Sequence, residues 1–135
     1  MIAAVANTAS DNAHRTRVLE DLYDAFNARD IDAALAHLAP GVDWPNAATA
    51  GRIHGREAVR AYWLAQWREG DPIVKPLRIE FAADGTVHVR VDQLVRDLAG
   101  KIVENRQVGH VYSFDGGFIA RMLIVEVAPE NEDEE

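Results

Sequence analysis

Apolar positions recur along this chain in two regimes, and the change of period falls near its middle. Val18, Leu19, Leu22, Tyr23 and Phe26 recur at helical spacing, predicting a first helix from about Asp11 to Ala28, capped by Ser10 or Asn7. Asp30 is placed to cap a short second helix through Ile31, Ala34, Leu35 and Leu38, ended by Pro40-Gly41. Val59, Trp63 and Trp67 stand four apart and predict a third helix from about Arg56 to Arg68, which Gly70-Asp71-Pro72 terminates.

Beyond that point the period falls to two. Leu77, Ile79 and Phe81 alternate as a strand does, and Asp84-Gly85 makes a turn. Val87, Val89 and Val91 carry the alternation on to about Arg96. Leu98-Ala99-Gly100 turns the chain into a strand from Ile102 to Phe114, and Asp115-Gly116-Gly117 turns it into a last strand from Phe118 to Val127. Helices followed by a meander of long strands predict an α+β domain, three helices packed on one face of a curved antiparallel sheet.

Composition narrows the classes without naming a function. A chain of 135 residues, 48% of them hydrophobic, holds one core, and it divides into residues 1–10 as a flexible N-terminus, 11–128 as the domain and 129–135 as an acidic disordered tail. Removing the five carboxylates of 130–135 from the net charge of −8 leaves −3, and no basic stripe is present, so nucleic acid is not an expected partner. The N-terminal ten residues lack a basic leader, and no apolar run reaches membrane-spanning length. With no cysteine there is neither a disulfide framework nor a thiolate site, which is compatible with a cytoplasmic protein.

The block from Tyr23 to Trp63 carries a resemblance. Asn27-Ala28-Arg29-Asp30 at a helix end, a short helix, Val42-Asp43-Trp44, and then Gly51-Arg52-Ile53-His54-Gly55-Arg56-Glu57 opening a third helix resemble the nuclear transport factor 2-like superfamily, in its SnoaL-like and ketosteroid isomerase-like branch. The resemblance covers roughly residues 15 to 127. It implies a cone-shaped domain whose curved sheet wraps the long N-terminal helix and leaves one apolar pocket open at an end. It also implies a homodimer formed through the other sheet face.

The chain departs from the isomerase pattern at three positions. Trp44 stands where those enzymes carry their proton-shuttling aspartate, one residue after Asp43; Leu22, adjacent to Tyr23, matches the pocket tyrosine; and His110 lies near the oxyanion-hole aspartate. A second relative, the limonene epoxide hydrolase group, is matched in part by Arg90-Val91-Asp92, whose period of two puts both charges on one face, and by Asn46. Trp44 and Ile124 replace two further elements of that site. Arg90 and Asp92 also fit an ion-pair ladder on an amphipathic strand.

His110, within Gln107-Val108-Gly109-His110-Val111-Tyr112, fits either a hydrogen-bonded packing residue or a general acid/base. Beside Asp92 it would form a proton-transfer pair, but one hairpin register joins the two on a face and the next separates them. The catalytic candidates are therefore Asp92, His110 and Arg90, with Trp44, Asn46, Tyr23, Phe26, Trp63 and Tyr112 as substrate-binding candidates. His54 fits a structural role at the entry to the third helix. No phosphate loop, metal-ligand spacing or nucleophile elbow occurs, so neither a cofactor nor a metal is expected. Two functions compete: a cofactor-independent acid/base enzyme (isomerase, cyclase or epoxide hydrolase type) acting on an apolar ketone, polyketide-like ring or epoxide, and a non-catalytic binder of a small apolar molecule. A closed scaffold ranks behind both.

Overall fold

The structure is a computed structural model, and it describes residues 2–128, with side chains from residue 10 onward. The expected acidic tail, 129–135, lies outside the described residues. Helix α1 spans Ile2–Asn27, so it begins before the expected start at Asp11 and includes residues expected to form a flexible end. Helix α2 spans Ile31–Leu35, with the Asp30 carboxylate accepting from the Ala33 N–H as its cap. Helix α3 spans Arg56–Glu69. Six strands follow the helical segments or lie between them: β1 Leu38–Asn46, β2 Gly51–His54, β3 Asp71–Phe81, β4 Val87–Arg96, β5 Ile102–Asp115 and β6 Phe118–Glu126.

The strands form one sheet in the order β2-β1-β6-β5-β4-β3. The expected antiparallel sheet is in fact mixed, because β1 runs parallel to β6. Leu38, expected in the second helix, opens β1 instead. Pro40 offers no N–H to a helix and pushes Ala39 toward extended backbone. The fully buried Leu38 pairs with Ile119, whose N–H donates to the His37 carbonyl at 2.9 Å. Strand β3 begins at Asp71, six residues before Leu77, despite Pro72 and Pro76. Both prolines are tolerated because β3 is an edge strand. Gly51–His54, expected only as the approach to the third helix, is the short edge strand β2.

The inner face of the sheet closes over α1. Val18, Leu19, Leu22 and Tyr23 of the helix meet Val87, Val89, Val91, Val108, Tyr112, Ile119 and Met122 of the sheet in one core, with Trp44, Val59 and Trp63 joining from β1 and α3. The result is the expected α+β cone, a curved, unclosed six-stranded sheet with three helices. On the outer face, the Asp43 carboxylate meets Arg52 at 2.8 Å and Arg121 at 3.3 Å, tying β2, β1 and β6 together. Among the described residues no helix is long and apolar enough to cross a membrane.

Candidate active site

A cavity of about 410 Å³ opens between α1, α3 and the inner sheet face, within the range of small-molecule sites. Its wall is aromatic: Phe26, Trp44, Tyr62 and Trp63 line it together with Met122 and Ile124. Trp44 and Trp63 meet edge to face with centroids 5.5 Å apart, and Phe26 meets Trp63 in the same way at 5.4 Å. Such packing holds the rings as rigid surfaces. Tryptophan at position 44 points inward because the pleat sends Asp43 outward to its arginines.

Three polar groups interrupt this wall at its buried end. The Tyr23 hydroxyl lies 2.9 Å from His110 Nδ1 and 2.7 Å from the Tyr112 hydroxyl, and the latter is 3.5 Å from the same nitrogen. Helix periodicity brings Tyr23 inward alongside Leu22, while the period of two along β5 delivers His110 and Tyr112 to the same face. His110 is the buried polar residue of this core, at 5% exposure. Burial penalises the imidazolium and lowers the pKa from 6.5 to about 4, so the ring is neutral at pH 7. Burial, reinforced by Tyr112, raises Tyr23 well above its usual value, and burial raises Tyr112 as well. Both phenols are therefore protonated donors at neutral pH.

Three neutral groups in a row form a chain with two polarities. In one, Tyr112 donates to Tyr23, Tyr23 donates to Nδ1, and the ring carries its proton on Nε2. In the other, Nδ1–H donates to Tyr23, Tyr23 donates to Tyr112, Tyr112 O–H is free to donate elsewhere, and Nε2 is a lone-pair base. No hydrogen bond to Nε2 is made among the described residues. Switching between the two states moves a proton from one end of the chain to the other without placing a charge on it.

The remaining candidates lie elsewhere. Asp92 pairs with Gln107 and His110 with Val89, three residues away along β4, so Asp92 and His110 occupy opposite faces. The irregularity in the pairing of β4 with β5 falls at Val95/Arg96, beyond both residues, and does not bring them to one face. Arg90 shares the outer face with Asp92 and donates to Gln107 Oε1 at 2.7 Å and to the Ala128 carbonyl at 2.8 Å. Asp92 borders a polar cleft of about 440 Å³ there with Gln107 and Glu126. Asn46 is not in the cavity wall: its Oδ1 accepts from the Ala48 N–H at 3.1 Å. The residues matched to the epoxide hydrolase pattern are thus not assembled around the cavity. Tyr23, Phe26, Trp44, Trp63, Tyr112 and His110 are.

Several rim residues went unnoticed in the sequence. Gln66 and Glu69 of α3, Gln93 of β4, and Glu104 and Arg106 of β5 border the cavity. Extending the alternation back from His110 by two and three pleats points to Arg106 and Glu104, and extending the valine series reaches Gln93. Among the described residues no group of His, Asp or Glu is placed to hold a metal ion.

Comparison with known proteins agrees with this architecture. The model of the SnoaL-like domain matches residues 19–122, and the chain belongs to this family, within the nuclear transport factor 2-like superfamily. No curated protein matches it in sequence. Among solved structures, it is similar to TerC co-crystallised with polyporic acid, at 19% identity and a TM-score of 0.74 over 84% of this chain and 92% of that one. It is also similar to a candidate polyketide cyclase from Sinorhizobium meliloti, at 21% identity and a TM-score of 0.69 over 80% and 93%. A Mycobacterium tuberculosis protein in complex with estradiol-17beta-hemisuccinate shares 17% identity and a TM-score of 0.70 over 81% and 90%. At these identities the likeness concerns the fold.

Proposed function

We propose that the protein is a cofactor-independent acid/base catalyst that enolises a carbonyl on a planar, largely apolar substrate, in the manner of a cyclase or isomerase. The observation that carries this reading is the neutral His110–Tyr23–Tyr112 chain at the buried end of an aromatic cavity. His110 Nε2 takes the proton α to the carbonyl. Nδ1 passes its own proton to Tyr23, Tyr23 passes its proton to Tyr112, and Tyr112 delivers its proton to the carbonyl oxygen as enolate character develops, so all three groups end neutral. Because burial disfavours imidazolium, a relay that leaves the ring neutral is the lower-energy course. Returning a proton to another carbon, or letting the enol attack a second carbonyl, completes an isomerisation or a ring closure. The solved neighbours include a candidate polyketide cyclase and proteins holding polyporic acid or a steroid ester, which supports the choice of a ring-shaped substrate.

The test is exchange of the α-hydrogens of α-tetralone in deuterium oxide, followed by NMR. Wild type should accelerate exchange, and His110→Gln and Tyr112→Phe should each lose roughly 100-fold while remaining folded. Unchanged exchange in both variants would overturn the assignment.

A second reading has its own observation. Among the described residues no carboxylate lines the buried end of the cavity, and Trp44 stands at the position that the resemblance assigns to the isomerase base. On this reading the pocket binds an apolar ligand without changing it, and wild type would quench its tryptophan fluorescence with the ketone yet catalyse no exchange.

A further inference from the structure

The buried end of the cavity is neutral and the opposite end is charged. Glu104 and Arg106 of β5 lie 3.2 Å apart, and the Gln93 amide of β4 donates to Glu104 Oε2 at 2.5 Å. Gln66 and Glu69 of α3 border the same rim. Strand β5 runs between the two ends as a ruler. His110 and Arg106 share its inner face four residues apart, which at the strand's rise is roughly 13 Å. A fused three-ring body is of comparable length.

The polarity of the rim is mixed. Arg106 is the cation bordering the cavity, and it is already paired with Glu104, while Glu69 adds a second carboxylate. A ligand carboxylate arriving here would compete with Glu104 for the guanidinium and meet Glu69 at the same time. A hydroxyl meets no such conflict. It donates to Glu104 and accepts from the guanidinium donors that the single Nε contact leaves over, or from the Gln66 amide.

We propose that this rim selects the distal end of the ligand, accepting an uncharged hydroxyl at Glu104 and Arg106 and rejecting a carboxylate. The inference deepens the reading of the cavity as a site for an aromatic carbonyl compound and rests on it. The substrate is then a fused-ring ketone whose far ring carries a neutral hydroxyl. Glu104 is the residue that excludes acids, acting through its hold on Arg106.

The experiment uses three probes: acetylanthracene with no far-ring substituent, with a hydroxymethyl group there, and with a carboxylate there. Dissociation constants are read from quenching of tryptophan fluorescence, Trp44 and Trp63 lying in the cavity wall. The hydroxymethyl probe should bind about tenfold more tightly than the carboxylate and more tightly than the parent. Glu104→Gln keeps a side chain of the same shape and frees Arg106, so the carboxylate probe should gain about tenfold while the parent is unmoved. Equal affinity of the three probes, a preference of wild type for the carboxylate, or no gain in Glu104→Gln would each overturn the proposal while leaving the cavity reading intact. Failure of all three to bind folded wild type would overturn both.

Discussion

At the scale of single residues, His110 is the buried imidazole of the cavity wall. The sequence left it open between a packing residue and a general acid/base, and its hydrogen-bond partner is Tyr23, 87 residues away, which no local pattern reveals. The lowered pKa carries a stability consequence. The unfolded chain binds a proton at this ring below about 6.5, whereas the folded chain does so only below about 4. The stabilisation is therefore complete above the ordinary histidine range. It is lost as pH falls through that interval, amounting to about 3 kcal/mol by pH 4. Urea midpoints measured at intervals from pH 7 to pH 4 should fall more steeply in wild type than in His110→Gln. Parallel curves would show that His110 is not the group responsible. The tyrosines act at the other extreme: both are raised, so their contribution is present below pH 10 and declines above it.

Asp92 makes the complementary case. Its spacing to Arg90 was legible, but the face it occupies depends on a register that the turn residues alone do not fix. The structure turns it outward. Asp92→Asn should consequently leave ketone exchange within about twofold of wild type, a change too small to count as loss of transition-state stabilisation. A hundredfold loss would restore Asp92 to the site and contradict the register.

At the scale of elements, the helices and the β4-β5-β6 meander were readable because their periods are strong and their partners adjacent. The left side of the sheet was not. Pairing of β1 with β6 joins residues about eighty positions apart, and nothing near Val42-Asp43-Trp44 announces a parallel partner. What secures that partner is the outward carboxylate of Asp43, shared by Arg52 and Arg121, with Arg52 also donating to the Met122 carbonyl at 2.8 Å. Asp43→Ala should lower stability by about 1–2 kcal/mol in urea unfolding, the scale of a partly exposed hydrogen bond between charged groups. The cavity wall should feel it too, since Trp44 is the next residue. A neutral effect would mean that backbone pairing alone holds β1 in place.

Neighbouring Gly109 sets a limit of a different kind on β5. A Cβ there would come within 2.7 Å of the Val125 side chain and 3.1 Å of Val127. Gly109→Ala should therefore displace β6 against β5 and cost on the order of 1–3 kcal/mol. An alanine variant as stable as wild type would show that Val125 gives way freely.

At the scale of the whole molecule, the fold was legible almost throughout and the chemistry only in part. The family resemblance carried the cone and its pocket, because a cone is built from periodicities that survive at about 20% identity. It did not carry a catalytic set, since Trp44 and Ile124 depart from the patterns that the sequence resembles and neither side chain can take a proton from a carbon or give one to it. In its place the cavity holds a polar chain assembled from α1 and β5, with neutral donors at the buried end and a charged pair at the rim. The proposed function rests on these few groups, because a fold of this kind does not by itself specify a reaction.

The most direct measurement is nitrogen NMR of the His110 side chain in labelled protein, titrated from pH 7 to pH 5 without and with α-tetralone. A neutral imidazole is expected throughout that range, with the Nε2 resonance moving when the ketone binds and Nδ1 responding through Tyr23. An imidazolium at pH 6, or a bound ketone that leaves both nitrogens unchanged, would contradict it.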